Sequence, residues 1–180
     1  MGRVSQAQAA QNRERIVATA ARLFRERGVA GVSVADVMAE AGLTHGGFYK
    51  HFASKDALVA EAITQAFAEQ AAALDGNGTA ALLDAYLSTA HRDHPGTGCP
   101  SAGFGGDVAR ADGGETRRAY AEGVEGFARR LGAGGEADLA AAGMLVGALL
   151  LSRATAGTDL SDRILAAARE ALAGRTPTAG

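Results

Sequence analysis

Residues 33–55, SVADVMAEAGLTHGGFYKHFASK, crowd hydroxyl, imidazole, phenol and ammonium groups into a short stretch. Three of the chain's nine aromatics, Phe48, Tyr49 and Phe52, fall within five residues and interleave with Lys50 and His51. Exposed aromatic and basic side chains of this kind make a poor core and a good surface for a nucleic-acid groove. Ser33 and Thr44 each precede a short helix, where a hydroxyl and free backbone N–H groups favour phosphate. Tyr49, His51 and Lys55 suit phosphates that flank a groove. His45, Lys50 and the bare backbone at Gly46 and Gly47 lie closest to base edges. Two glycines in a helix cost roughly 1 kcal/mol each relative to alanine, a loss that close approach to DNA would offset.

A second group surrounds the single cysteine. Cys99 sits in HRDHPGTGCP, close to His91 and His94. One reading is a metal site, H-x2-H-x4-C with Asp93, but the spacing is unusual and no fourth ligand is evident, so no metal is assigned. A second reading is a thiol that senses oxidants or electrophiles, which requires access and a lowered pKa. The third is a small buried thiol. The carboxylates Asp107, Asp112, Glu115, Glu122 and Glu125 are scattered outside any catalytic pairing. No GxSxG, HExxH or nucleotide fingerprint occurs, so the sequence points to no enzyme and no cofactor.

The elements that carry these residues read as helices throughout. Alanine alone contributes 43 of 180 residues, and Leu, Glu and Arg are frequent while β-branched alternation is nearly absent. A first helix is expected over about 12–27, with Ile16, Ala20, Leu23 and Phe24 on one face and Gly28 as its stop. Ser33 can cap a second helix, with Asp36 in capping-box position, and Gly42 ends it. Thr44 can cap a third, in which Phe48 and Phe52 at i, i+4 face inward. Ser54 caps a long fourth helix carrying Val59, Ile63 and Phe67. A short helix, a turn and a second short helix behind a longer one is the layout of a helix-turn-helix.

Beyond the linker at 75–79, helices are expected at 80–92, 107–112, 115–131, about 136–155 and 159–173. Residues 93–106, with two of the three prolines and five glycines, read as the main loop. The expected division is an N-terminal unit, 1–56, and a C-terminal helical unit, 57–180. Charge follows it. Eight basic and five acidic residues give the first a net +3, and ten basic and fifteen acidic residues give the second −5. A polyanion-binding head on a body that binds something else would carry such an asymmetry.

Several classes are disfavoured. One cysteine allows no intramolecular disulfide and no CxxC zinc site. The longest uncharged apolar run, Leu139–Ser152, has 14 residues, too few to span a bilayer. Residues 1–11 lack a signal-peptide core and Gln6 breaks a myristoylation pattern. The expectation is a cytoplasmic protein with no membrane partner.

The stretch from Arg13 to Leu58, with its EAGLTHGGFYKHFASKDAL core, resembles the DNA-binding domain of the TetR (tetracycline-repressor) family of bacterial regulators. The likeness covers about a quarter of the chain and includes Phe48-Tyr49, His51-Phe52 and the SKDAL that opens the fourth helix. Met38 stands where the family usually has alanine, and Gly46-Gly47 replaces residues that favour a helix. The resemblance implies an all-α fold, with a three-helix DNA-binding domain and a C-terminal ligand-binding and dimerisation domain. It further implies a homodimeric repressor of a palindromic double-stranded operator, released by an unidentified small-molecule inducer and paired through helices at about 136–155 and 159–173. Its expected DNA contacts are Ser33, Thr44, His45, Gly46, Gly47, Tyr49, Lys50, His51 and Lys55. The alternative is a helical small-molecule-binding or thiol-based redox or electrophile-sensing regulator that uses Cys99.

Overall fold

The computed structural model describes residues 6–76, 78–111 and 114–174; Arg3 and Asp112, which entered the charge and carboxylate readings, lie outside them. Every regular element among the described residues is helical. The nine α-helices are α1 (Gln6–Arg27), α2 (Val34–Glu40), α3 (Lys55–Leu74), α4 (Thr79–Tyr86), α5 (Thr89–Asp93), α6 (Pro100–Arg110), α7 (Glu115–Leu131), α8 (Leu139–Ala154) and α9 (Asp159–Ala173). A 3-10 helix, His45–Lys50, lies between α2 and α3.

Four expectations need correction. The first helix starts six residues early, at Gln6, because QAQAAQ has strong intrinsic helix preference. The third short helix is 3-10 rather than α, and the Thr44 side chain makes no capping bond to it. The helix expected at 80–92 is broken at Leu87-Ser88, where the Ser88 hydroxyl starts α5 by accepting from His91 N at 3.1 Å. The glycine-rich loop at 93–106 is helical from Pro100 onward, so the short helix expected at 107–112 is the end of α6. Proline suits a first helical position, where its missing N–H has no partner to lose.

The α6 glycines serve contact with α1. A Cβ at Gly103 would stand 2.7 Å from Cγ of Arg25, so α6 can approach α1 only with a bare Cα there. Arg25 is buried at that crossing and fully engaged. Its Nε donates to the Ala21 carbonyl at 2.9 Å, its Nη1 to the Gly98 carbonyl at 3.2 Å and its Nη2 to Oε2 of Glu69 at 2.9 Å. Nearby, the Val29 N–H donates to Oδ2 of Asp107 at 2.8 Å. The end of α1 is thus joined to α3, to the loop before α6 and to α6 itself.

Two apolar clusters result. One holds Ile16, Leu23 and Phe24 of α1, Val37 and Met38 of α2, Phe48, Phe52, and Leu58 to Phe67 of α3, and it takes in Phe104 and Val108 from α6. The other joins Leu82, Leu83, Tyr86 and Leu87 to Phe127, Leu145, Leu149, Leu165 and Leu172. The polar links just described, with Phe104 and Val108 of α6 packed into the first cluster, tie the N-terminal helices to the body.

Candidate nucleic-acid interface

The first three helical elements are locked before any outward residue is considered. Ser33 and Asp36 form a reciprocal capping box at the start of α2: the Ser33 hydroxyl accepts from Asp36 N at 3.1 Å, and Oδ2 of Asp36 accepts from Ser33 N at 2.8 Å. The Ser33 hydroxyl also donates to Oδ2, and these bonds hold the Asp36 carboxyl below its ordinary range. The chain then reverses at Gly42, whose φ of +69° strongly favours glycine, and Leu43 N donates to the Met38 carbonyl at 2.8 Å. Phe48 and Phe52 are buried as their spacing predicts and stack with centroids 5.5 Å apart. Arg13 of α1 closes the stack, its guanidinium 4.7 Å from the Phe52 centroid and 2.5 Å from a Glu61 oxygen.

On this base the outward side chains fall into two groups. Thr44, His45, Tyr49 and Lys50 are exposed, and their side chains form no hydrogen bond or ion pair among the described residues. Tyr49 is the most exposed large apolar-bodied side chain, at 71%, and rests its ring edge-on against Phe48 at 5.2 Å. With exposed Gly46 they make one continuous surface of donors and bare backbone. The other expected residues are partly engaged. Lys55 Nζ donates to the Val29 carbonyl at 2.6 Å and lies 5.8 Å from the Phe24 ring, which leaves two ammonium protons. Ser33 is held in its capping box, while Gly47 and His51 are half-buried. Arg27, exposed and close enough to act on the Asp36 carboxylate, joins this rim; the basic last turn of α1 was its signal in the sequence.

Neither Gly46 nor Gly47 has a positive φ. A Cβ at Gly46 would meet nothing within 4 Å, and one at Gly47 would make ordinary contacts with Met38 Cε at 3.6 Å and Thr44 Oγ1 at 3.8 Å. The fold therefore does not require glycine at either position, and what their smallness permits is an approach from outside.

The cysteine segment is arranged differently. Cys99 is 1% exposed. His91 Nε2 accepts from Cys99 N at 2.9 Å and His91 Nδ1 faces the Tyr86 carbonyl at 2.7 Å, which fixes the imidazole as the neutral Nδ1–H tautomer. His94 Nδ1 turns to the Ala90 carbonyl and Asp93 pairs with Arg92. His91, His94 and Asp93, three of the four groups of the metal reading, are therefore occupied with separate partners. A cleft of about 520 Å³ opens beside them between the ends of α1, α3, α4 and α5.

Residues 16–62 match the family described as bacterial regulatory proteins, tetR family. The uncharacterized HTH-type transcriptional regulator YerO of Bacillus subtilis (strain 168) is 40% identical over 52 residues, which span 29% of this chain and 18% of that protein. The chain is thus similar to the TetR family over residues 16–62. Its overall fold agrees: the TetR-family transcriptional regulator of Cytophaga hutchinsonii superposes with a TM-score of 0.71 at 21% identity, over 96% of this chain and 98% of that one. The multidrug binding protein EbrR, complexed with imidazole, gives 0.62 at 25% identity, over 93% and 96%. No helix among the described residues is long and apolar enough to cross a membrane.

Among the described residues, four of the five large exposed apolar side chains lie on α8 and α9: Leu139, Leu150, Leu151 and Leu160. Leu139, Gly143, Gly147 and Leu150 follow one another at i, i+4, i+8 and i+11 on α8, and a Cβ at either glycine would meet nothing within 4 Å. On α9, Leu160 faces outward, Ile164 is half-buried and Leu172 lies in the core.

Proposed function

We propose that this chain is a homodimeric, cytoplasmic repressor of a palindromic operator, released from DNA by a small molecule. The observation that carries the DNA-binding part is the 44–50 surface, where unpaired donors surround two glycines that the fold does not require. Thr44 and Tyr49 contact phosphates, and His45 and Lys50 read base edges across the backbone at Gly46 and Gly47. Ser33, His51, Lys55 and Arg27 form the flanking rim. With few long side chains on the element, base recognition rests on few residues, so backbone approach and phosphate contacts supply much of the affinity.

The α8–α9 face supports dimerisation, because two protomers can cover each other's apolar stripe in a four-helix seam. Two heads held this way would enter successive major grooves about 34–36 Å apart. The cleft beside α1 supports the small-molecule part, and EbrR, a multidrug binding protein of the same fold, has imidazole bound. The thiol-sensing alternative is disfavoured by the burial of Cys99.

The test is a gel shift with DNA upstream of the chain's own gene, followed by operator variants. Lys50→Ala and His45→Ala are expected to change the ranking of operator variants. Uniform weakening across all variants would remove both residues from base reading.

A further inference from the structure

Arg153 of α8 follows the exposed Leu150 and Leu151 closely, yet it is half-buried, and no carboxylate pairs with it among the described residues. Burial pushes its pKa down, so no ion pair explains why a guanidinium stands there. What it engages is backbone. Its Nε donates to the Arg92 carbonyl and its Nη2 to the His91 carbonyl, both at 3.0 Å. These are last-turn carbonyls of α5, which have no partner within their own helix. One planar fork serves both, whereas the point-like ammonium of lysine lacks that fixed geometry. Arg92 ties the same turn to α9: its Nη1 donates to Ser161 Oγ at 2.9 Å and to Asp162 Oδ1 at 2.7 Å.

The other side of this segment meets α1. After α5 the chain makes a 3-10 turn, Pro95–Thr97, and reaches Gly98. The Gly98 carbonyl accepts from Arg25 Nη1 at 3.2 Å. A Cβ at Gly98 would stand 2.7 Å from Arg153 Nη2, and one at Gly96 would collide with the Glu26 side chain. Residues 91–98 are therefore clamped between α1 and the α8–α9 pair, by arginines on both sides and by close packing at two glycines. This path bypasses α6, which meets α1 separately at Gly103 and reaches Val29 through Asp107.

We propose that Arg153 is a positioning residue that, through the 91–98 segment, fixes the N-terminal helices relative to α8 and α9 and so selects the half-site separation that two heads accept. The first part concerns one chain alone; the second rests on the dimeric operator-binding reading above and deepens it. Two joined heads gain from a second half-site only where their geometry lets both engage. A loosened clamp therefore loses affinity at the best spacing and gains tolerance of the adjacent ones.

Two variants of the full chain loosen the clamp from opposite sides. Arg153→Met keeps the stem and removes the fork. Gly98→Ala keeps every donor and adds one methyl group against Arg153, at a φ of −85° that alanine adopts freely. The first readout is the head-to-body distance within one chain, from nitroxides on Ala39→Cys of α2 and Asp159→Cys at the start of α9, both exposed, in labelled chain diluted with unlabelled chain. The distribution is expected to be narrow in the natural chain and broader or displaced in both variants. The second readout is affinity for duplexes whose enriched half-sites are moved apart one base pair at a time. The preference for the best spacing over the adjacent ones is expected to fall about 5-fold in both variants, while dimer sedimentation and single half-site affinity stay unchanged. Unchanged distances in both variants, or an unchanged spacing preference, overturn the proposal. Broadened distances in a chain that prefers no paired half-sites would leave the clamp standing and contradict the operator reading instead.

Discussion

Gly46 is where single residues test function against stability. Its φ is negative and the space beside it is open, so Gly46→Ala is expected to stabilise the fold by about 0.5–1 kcal/mol through the unfolded chain. The same methyl group would stand between backbone and DNA, so operator affinity is expected to fall while thermal midpoint rises. Paired melting and anisotropy measurements check it, and equal or better DNA binding would contradict the close-approach role. His91 tests the body. Its folded pKa is depressed below 6.5, so on acidification the unfolded chain takes up the proton first and stability falls between pH 6.5 and the lower folded value. Urea midpoints at pH 7.5 and 5.5 are expected to diverge in the natural chain and to converge in His91→Gln, once other groups common to both are subtracted. At this scale the facing of the candidate surface was legible: Phe48 and Phe52 had to face inward at i, i+4, which turned Tyr49 and Lys50 outward. The engagement of Lys55 with the Val29 carbonyl was not legible, because a bond between residues 26 apart depends on how α1 and α3 cross.

Elements are held together by approach distances that composition alone does not reveal. Glycines at 96, 98 and 103 read as a loop, since isolated propensity treats each as a helix breaker. In the folded chain they are contact surfaces. A Cβ at Gly96 would meet the Glu26 side chain, one at Gly98 would stand 2.7 Å from Arg153 Nη2, and one at Gly103 would stand 2.7 Å from Arg25 Cγ. Tertiary contact therefore outweighs propensity in α6. Gly103→Leu is expected to push α6 from α1 and destabilise by about 1–3 kcal/mol, the usual cost of overpacking. Chemical denaturation measures this, and a neutral result would mean that Arg25 can swing aside without loosening its bonds to Gly98 and Glu69. Local signals succeeded where the partner lay within a few residues: Ser54 accepts from Ala57 N at 3.1 Å at the start of α3, and Ser33 and Asp36 form their capping box.

At the scale of the whole molecule, the charge asymmetry and the apolar face of α8 and α9 belong to one design. A head with +3 and a body with −5 orients the N-terminal helices toward a polyanion, and the exposed Leu139, Leu150, Leu151 and Leu160 offer a seam on the body. In the proposed dimer this seam would set the distance between two heads, so dimerisation and operator spacing would be coupled. Leu151→Glu, which places a carboxylate on the exposed face without entering the core, is expected to give a folded monomer by sedimentation and to weaken operator binding at least tenfold. A dimer that survives would move the interface elsewhere. The most direct test of the account is enrichment of random double-stranded DNA by the purified full chain. A palindrome with half-sites centred about one or two helical turns apart is expected, lost when Lys50 and His45 are both replaced by alanine. Enrichment of no sequence at all, or of the same sequence by that double variant, would contradict it.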